Sequence, residues 1–183
     1  KLKHARMAAS ELLDQLQEGD TFSLVTFSDT AQVIIPPTDF TDVAMARRTL
    51  AGISPRGGTN LYDGLQLGLA QLKSVSSPGV HRVVVLSDGM ANIGTTEPAA
   101  LAREAASLVR EGISVSSFGL GLDYSEDTLM AISESGGGSY RFVDRPGQLS
   151  EVFATELRQM SEVIARETLL EISTPTSTQI IDV

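Results

Sequence analysis

At 183 residues, 42% hydrophobic and 20% charged, the chain has the length and makeup of one globular domain, or of one domain and the beginning of a second. Its 14 Lys and Arg stand against 23 Asp and Glu, and the net charge of -9 disfavours nucleic acid or an anionic membrane surface as partner and suits cations or basic surfaces. Cys is absent and His4 and His81 are the only histidines, which excludes disulfides, thiolate nucleophiles and Cys- or poly-His zinc centres, and no apolar run approaches the roughly 18 residues that cross a bilayer.

Leu2, Ala5, Ala9, Leu12, Leu13 and Leu16 recur at helical spacing, and Gly19 stops that helix. Residues 22–27 are rich in strand formers, and Ser28-Asp29-Thr30 turns them into a shorter strand, 33–35, which Pro36-Pro37 closes. Proline there marks an edge strand, where a missing donor does little harm. A helix is expected over 43–53 with Asp42 as its cap, followed by a loop through 54–60. Leu61, Leu65, Leu69, Leu72 and Val75 form the buried stripe of the next helix. Residues 83–86 are apolar without a break, as in a strand covered on both faces of a parallel sheet. Pro98 opens a helix that Gly112 ends, and 113–118 is a strand followed by Gly119-Leu120-Gly121. Ser125 caps a helix that Gly136-Gly137-Gly138 stops, 140–143 is a strand, and 148–165 is the last helix.

Strands alternating with helices predict an α/β, doubly wound, mostly parallel sheet with one antiparallel edge strand and helices on both faces. Beyond Arg166 the character changes, for 168–173 and 179–183 read as strands with no helix between them. Residues 1–166 are thus expected to be one domain, and 167–183 a tail that begins a β-rich one.

In open α/β sheets, ligands bind outside the carboxyl ends of the parallel strands. Here those ends carry Ser28-Asp29-Thr30, then Ser87-Asp88-Gly89-Met90-Ala91-Asn92, then Gly119-Leu120-Gly121-Leu122-Asp123, and last Asp144-Arg145. The loop Gly57-Gly58-Thr59-Asn60 can reach the same rim. Oxygen donors gather there without nitrogen or sulfur, which favours a hard cation such as Mg²⁺, Mn²⁺ or Ca²⁺. Gly119-Leu120-Gly121 lacks the third glycine of a dinucleotide fingerprint and serves close packing of strand and loop instead. Ser87, Asp88 and the distant His81 make no triad, since no Gly-x-Ser-x-Gly elbow is present. His4 and His81 read as surface residues, and Glu126-Asp127 as complements to a helix N-terminus. No enzyme emerges.

Gly57-Gly58-Thr59-Asn60-Leu61, Val85-Leu86-Ser87-Asp88-Gly89 and Phe118-Gly119-Leu120-Gly121, in this order and each at a strand end or helix start, resemble a von Willebrand factor type A domain. The resemblance covers roughly residues 1–165 and implies a Rossmann-like fold with a metal-ion-dependent adhesion site. In that family an Asp-x-Ser-x-Ser loop after the first strand supplies an aspartate and two serines; a threonine and a second aspartate complete the protein's share. Thr59 matches the threonine and Asp88 the second aspartate. Mostly neutral hydroxyl ligands leave Mg²⁺ electrophilic, so that a carboxylate from a partner protein takes the open position.

The chain departs from the family pattern in one respect. It holds no Asp-x-Ser-x-Ser, and it starts inside what resembles the first helix. The family's first strand would lie immediately upstream, central in the sheet between the strands that match 22–27 and 82–87. The expectation is therefore a fragment, binding Mg²⁺, Mn²⁺ or Ca²⁺ weakly or not at all with Thr59 and Asp88 alone. Two ladder edges would stand open to pairing with an appended segment, with residues 168–173 of this chain or with another molecule. Simpler roles sit beside these. Thr59 could cap the following helix, Asp88 could satisfy a turn, Asn92 and Asp63 could be solvated or turn-stabilising, and Ser28 and Asp29 suit any hairpin turn.

The resemblance implies a divalent-cation-dependent protein–protein interaction module that is not a catalyst. Its partner would present Asp or Glu, with Ser28, Asp29, Gly58, Asn60 and Asn92 on the partner-binding rim. A bacterial multidomain protein, similar to calcium-activated-chloride-channel-like or inter-α-trypsin-inhibitor-heavy-chain-like members, fits the 87–94 run and the tail. Such proteins are often periplasmic, extracellular or membrane-anchored. The alternative is a metal-independent scaffold domain in a larger assembly.

Overall fold

The alternating apolar and polar periods of the sequence are realised in a computed structural model that describes residues 2–39, 43–75, 79–87, 90–121, 124–143 and 148–161. In chain order the elements are α1 (Leu2–Leu13), β1 (Thr21–Phe27), β2 (Ala31–Asp39), α2 (Val43–Gly52), α3 (Leu61–Lys73), β3 (His81–Ser87), α4 (Pro98–Val109), β4 (Ile113–Leu120), α5 (Glu126–Ser135), β5 (Gly137–Val143) and α6 (Leu149–Ser161). The cap expected at Asp42, the tail 167–183 and the last turn of the final helix lie outside the described residues.

β3, β4 and β5 form a parallel ladder in that order, while β1 pairs antiparallel with β2 in a separate ladder. Among the described residues no strand joins the two. This is the α/β arrangement that the alternation of elements predicts, with β2 as the antiparallel edge.

The period-2 alternation of each strand sorts side chains onto two helical layers. Val83 and Val85 on β3, with Ile113 and Val115 on β4, pack under Leu61, Leu65 and Leu69 of α3, Leu101, Ala105 and Leu108 of α4, and Leu129 and Ile132 of α5. On the opposite face, Val84 and Leu86 with Phe118, Leu120 and Val143 meet Ala5, Ala8 and Leu12 of α1 and Phe153 of α6. Phe22, Leu24 and Ile35 of the β1–β2 ladder pack on Ala9 and Leu13 of α1 and Ala46 and Leu50 of α2. Helix α1 therefore touches both ladders on one face. On the other, α3 does the same, because Gly64 admits the Phe27 ring of β1 against a helix that also covers β3. Phe118 and Phe153, both fully buried with centroids 4.7 Å apart, pin α6 to β4.

Among the described residues the core carries one buried charge pair. Glu156 of α6, 2% exposed, takes the Arg82 guanidinium and the hydroxyls of Ser116 and Ser139 on its two carboxylate oxygens. Arg82 also donates through Nε to Ser114 Oγ at 2.8 Å. Every oxygen of the carboxylate is thus satisfied, which is the condition under which a buried ion pair is tolerated.

Four local expectations are corrected. Helix α1 ends at Leu13, before Leu16, and Gly19 with φ +97° lies in the turn that follows, where Asp20 accepts from Gln17 N at 2.8 Å. β2 runs through Pro36 and Pro37 to Asp39 because the ladder slips there, Phe22 facing Thr38 while Leu24 faces Ile35, so an edge strand absorbs two missing donors. β5 begins at Gly137, and Gly138 lies so close to the Val115 backbone that a side chain would not fit. The glycines that read as a helix stop are also a close approach of β5 to β4. His81 is half-buried at the start of β3, not a free surface residue.

Candidate functional site

At the carboxyl ends of β1 and β3, three loops converge: the β1–β2 turn, the segment between α2 and α3, and the segment leading into α4. Asn60 is the cap of α3, its Oδ1 accepting from Asp63 N at 3.2 Å. The alternative that Thr59 serves as this cap is thereby overturned, since the helix begins one residue later. Asn60 also joins the neighbouring turn twice, donating from its backbone N to Ser28 O at 2.7 Å and from Nδ2 to Asp29 O at 3.2 Å.

The Asp29 carboxylate accepts from Gly58 N at 2.6 Å and lies over the Gly57 Cα, whose φ of +40° only glycine adopts easily. Asp29 is thus committed to fixing the glycine loop. Asp63 is committed likewise, its Oδ2 accepting from Ala31 N at 2.6 Å. Of the solvated and turn-stabilising roles expected for Asp63, the structure shows the second, because its place in the first turn of α3 aims the carboxylate at the β1–β2 turn. The Asn-x-x-Asp spacing at the helix start signals the cap at Asn60, whereas the reach of Asp63 to Ala31 depends on the tertiary fold.

Thr59 is held through its backbone on both sides. Its N–H donates to Asn92 Oδ1 at 2.8 Å, and its carbonyl accepts from Asn92 N at 3.1 Å and Ile93 N at 3.4 Å. Gly58 lies against Ile93 and Asn92 too closely for a Cβ. Asn92 therefore stabilises the loop rather than standing solvated. Among the described residues the Thr59 hydroxyl donates and accepts no hydrogen bond. It is half-buried where the three loops meet.

The structure thus brings Ser28, Asp29, Gly58, Thr59, Asn60 and Asn92 together. Asp88, with Asp123 and Asp144, lies outside the described residues. Among the described residues the donors at the rim are oxygens, which suit a hard cation in kind and fall short of a full ligand set in number. Among the described residues no cluster of three or more His, Asp or Glu could hold a metal ion.

Beyond β4, Tyr124 meets Tyr140 hydroxyl to hydroxyl at 2.5 Å and stacks obliquely on Phe142. Gly119 lies under the Tyr124 ring, the close packing of strand and loop expected of Gly119-Leu120-Gly121. The Tyr140 phenol is held well above the ordinary tyrosine range, first by burial, then by the Tyr124 hydroxyl and the nearby charge of Glu126.

Comparison with known proteins places this architecture. The chain is 26% identical over 163 residues to the Escherichia coli protein YfbK, covering 88% of this chain and 28% of that protein. It is 29% identical over 150 residues to human inter-alpha-trypsin inhibitor heavy chain H4, covering 77% of this chain and 16% of that one. The chain thus spans less than a third of the length of either relative. Among solved structures, an aerotolerance-related membrane protein from Bacteroides fragilis superposes with a TM-score of 0.72 at 22% identity, over 87% of this chain and 89% of that one. Proximal thread matrix protein 1 from the mussel byssus, with a zinc-occupied metal-ion-dependent adhesion site, superposes at 0.69 with 21% identity, over 85% of this chain and 40% of that one. The sequence profile of the von Willebrand factor type A domain matches residues 1–155, and the chain belongs to that family.

Proposed function

We propose that the rim is a protein-interaction surface that takes a partner's Asp or Glu through a divalent cation, with Thr59 and Asp88 as this chain's share of the ligands. The observation that carries this reading is the Thr59 hydroxyl. Four contacts fix the glycine loop and the Thr59 backbone, and none uses the hydroxyl. A ligand oxygen held in place and left unspent costs little reorganisation on binding. The mussel protein's zinc-occupied site on the same fold supports it. The cation, Mg²⁺ or alternatively Mn²⁺ or Ca²⁺, would supply a positive charge for the partner carboxylate. Ser28, Asp29, Gly58, Asn60 and Asn92 would shape the surface around it.

With two family ligands the ion is held weakly, because Mg²⁺ gives up its hydration shell reluctantly. We place the domain, residues 1–166, in an exported or membrane-anchored bacterial protein, in keeping with the aerotolerance-related membrane relative. Among the described residues no helix is long and apolar enough to cross a membrane.

The test is a calorimetric titration of this chain with Mg²⁺ and with Mn²⁺, alongside Thr59→Ala. The expected result is weak saturable binding that the substitution removes. Binding untouched by the substitution would overturn Thr59 as a ligand. A second reading, a metal-independent scaffold, is favoured by the fact that Asp29 and Asp63 both spend their carboxylates on backbone amides. Partner capture that survives a chelator would establish that reading.

A further inference from the structure

Of the six Phe and three Tyr in the chain, three gather at the outer end of the parallel ladder. The strand register brings them together. Gly119 of β4 stands opposite Phe142 of β5, and the Tyr124 ring lies over Gly119 where a side chain would otherwise be. Tyr124 thereby reaches across the strand pair to Phe142, with ring centroids 5.8 Å apart. Tyr140, two residues before Phe142, stands on the same face and meets the Tyr124 hydroxyl. The three rings form a shelf on the side of the sheet that α5 covers. Tyr124 and Tyr140 are half-buried and held by one another. Phe142 is 44% exposed, and among the described residues it is the one exposed aromatic side chain.

The charge beside this shelf is negative. Glu126 and Asp127 open α5, both exposed, and Glu126 lies close enough to act on the Tyr140 hydroxyl. The same helix carries Glu134 at its far end and no Lys or Arg. Among the described residues the ion pairs lie elsewhere, at Asp14, Glu111 and Glu156. Arg141 does not neutralise the shelf, because strand alternation turns it with its neighbour Phe118 toward the opposite helical layer. A helix N-terminus carries about half a unit of positive charge, less than two carboxylates bring.

We propose that the shelf is a docking site for an arginine side chain on the basic surface of a partner protein. The negative face of the Phe142 ring attracts a guanidinium, whose N–H groups donate to the Glu126 or Asp127 carboxylate. A planar, weakly hydrated guanidinium suits a ring and a carboxylate together, where a compact ammonium holds its water more firmly. Charge complementarity selects this occupant. An apolar partner would desolvate two carboxylates without compensation, whereas a net charge of -9 draws a basic one from a distance. The proposal is independent of the cation at the rim.

The test uses the whole chain with a chelator present, which separates it from the rim reading. The probe is the blocked peptide Gly-Ser-Arg-Gly-Ser, compared with the same peptide carrying citrulline, which matches arginine in shape and lacks its charge. NMR titration should show saturable shifts at the amides of residues 124–127 and 140–142, with the arginine form binding at least about fivefold more tightly. Phe142→Leu keeps apolar bulk without a ring and should weaken binding about threefold or more, while Phe142→Trp should bind at least as well as the parent. Glu126→Gln should weaken binding too. Glu134→Gln removes the same charge from the other end of α5 and should leave binding little changed. A melting curve on each variant confirms folding. Equal binding of the two peptides, or no binding of the arginine form, would overturn the proposal. Equal losses from Glu126→Gln and Glu134→Gln, with Phe142→Leu silent, would overturn it as well, leaving only diffuse attraction to an acidic surface.

Discussion

Tyr140 offers a titration that isolates one residue. Its phenol is held above the ordinary tyrosine range, so the folded protein keeps a proton that the unfolded chain gives up. Below about pH 10 both states are protonated and the group contributes nothing to pH dependence. Above that value the unfolded chain ionises first, so stability falls as pH climbs toward the raised folded pKa. Tyr140→Phe should make the fall in melting temperature above about pH 10 shallower. A series of thermal melts from about pH 8 to about pH 11 checks this, and an unchanged slope would remove Tyr140 as the cause. At the rim, Asn92→Ala strips the acceptor from Thr59 N–H, and a lost hydrogen bond of this kind costs about 1 kcal/mol. Hydrogen exchange at the Thr59 amide should speed up measurably, with the rest of the chain little changed.

Among the elements, α6 depends on the Glu156 centre. Replacing Glu156 by Gln leaves the Arg82 charge buried without its partner, and breaking such a pair costs about 3–5 kcal/mol. Chemical denaturation should show a shift of that order, whereas changing both partners to apolar residues of similar shape should cost far less. This centre was not visible in the sequence. Arg82 and Glu156 stand far apart in the chain, and only the parallel stacking of β3, β4 and β5 under α6 brings them together. The elements themselves were legible where a single period ruled, as in residues 83–86 and in the leucine stripe of α3. They were misread where tertiary structure overrode local preference. Pro36 and Pro37 sit within β2 because an edge tolerates them, and Gly138 sits in β5 because β4 leaves no room for a side chain. The rim was legible as a set of loops, while the commitment of Asp29 and Asp63 to backbone amides depends on how those loops fold over one another.

On the scale of the whole molecule, protection from solvent should follow strand position. β4 lies between β3 and β5, and seven of its eight residues are buried, the last six without a break. β1 is half-buried along its entire length. Amides of β4 should therefore exchange only with global opening, and those of β1 through smaller local events. Native-state hydrogen exchange at several denaturant concentrations separates the two, and equal protection would mean that the ladders open as one unit.

The division into two ladders also has a mechanical consequence. Among the described residues, α1 and α3 are the helices that touch both halves, so tension applied across the seam is met by side-chain packing and by the loop contacts at the rim. Pulling β2 away from β5 would shear no continuous backbone ladder at that line. Among the described residues, the line between the two ladders is where side-chain packing alone resists force, so they should part there before either ladder shears.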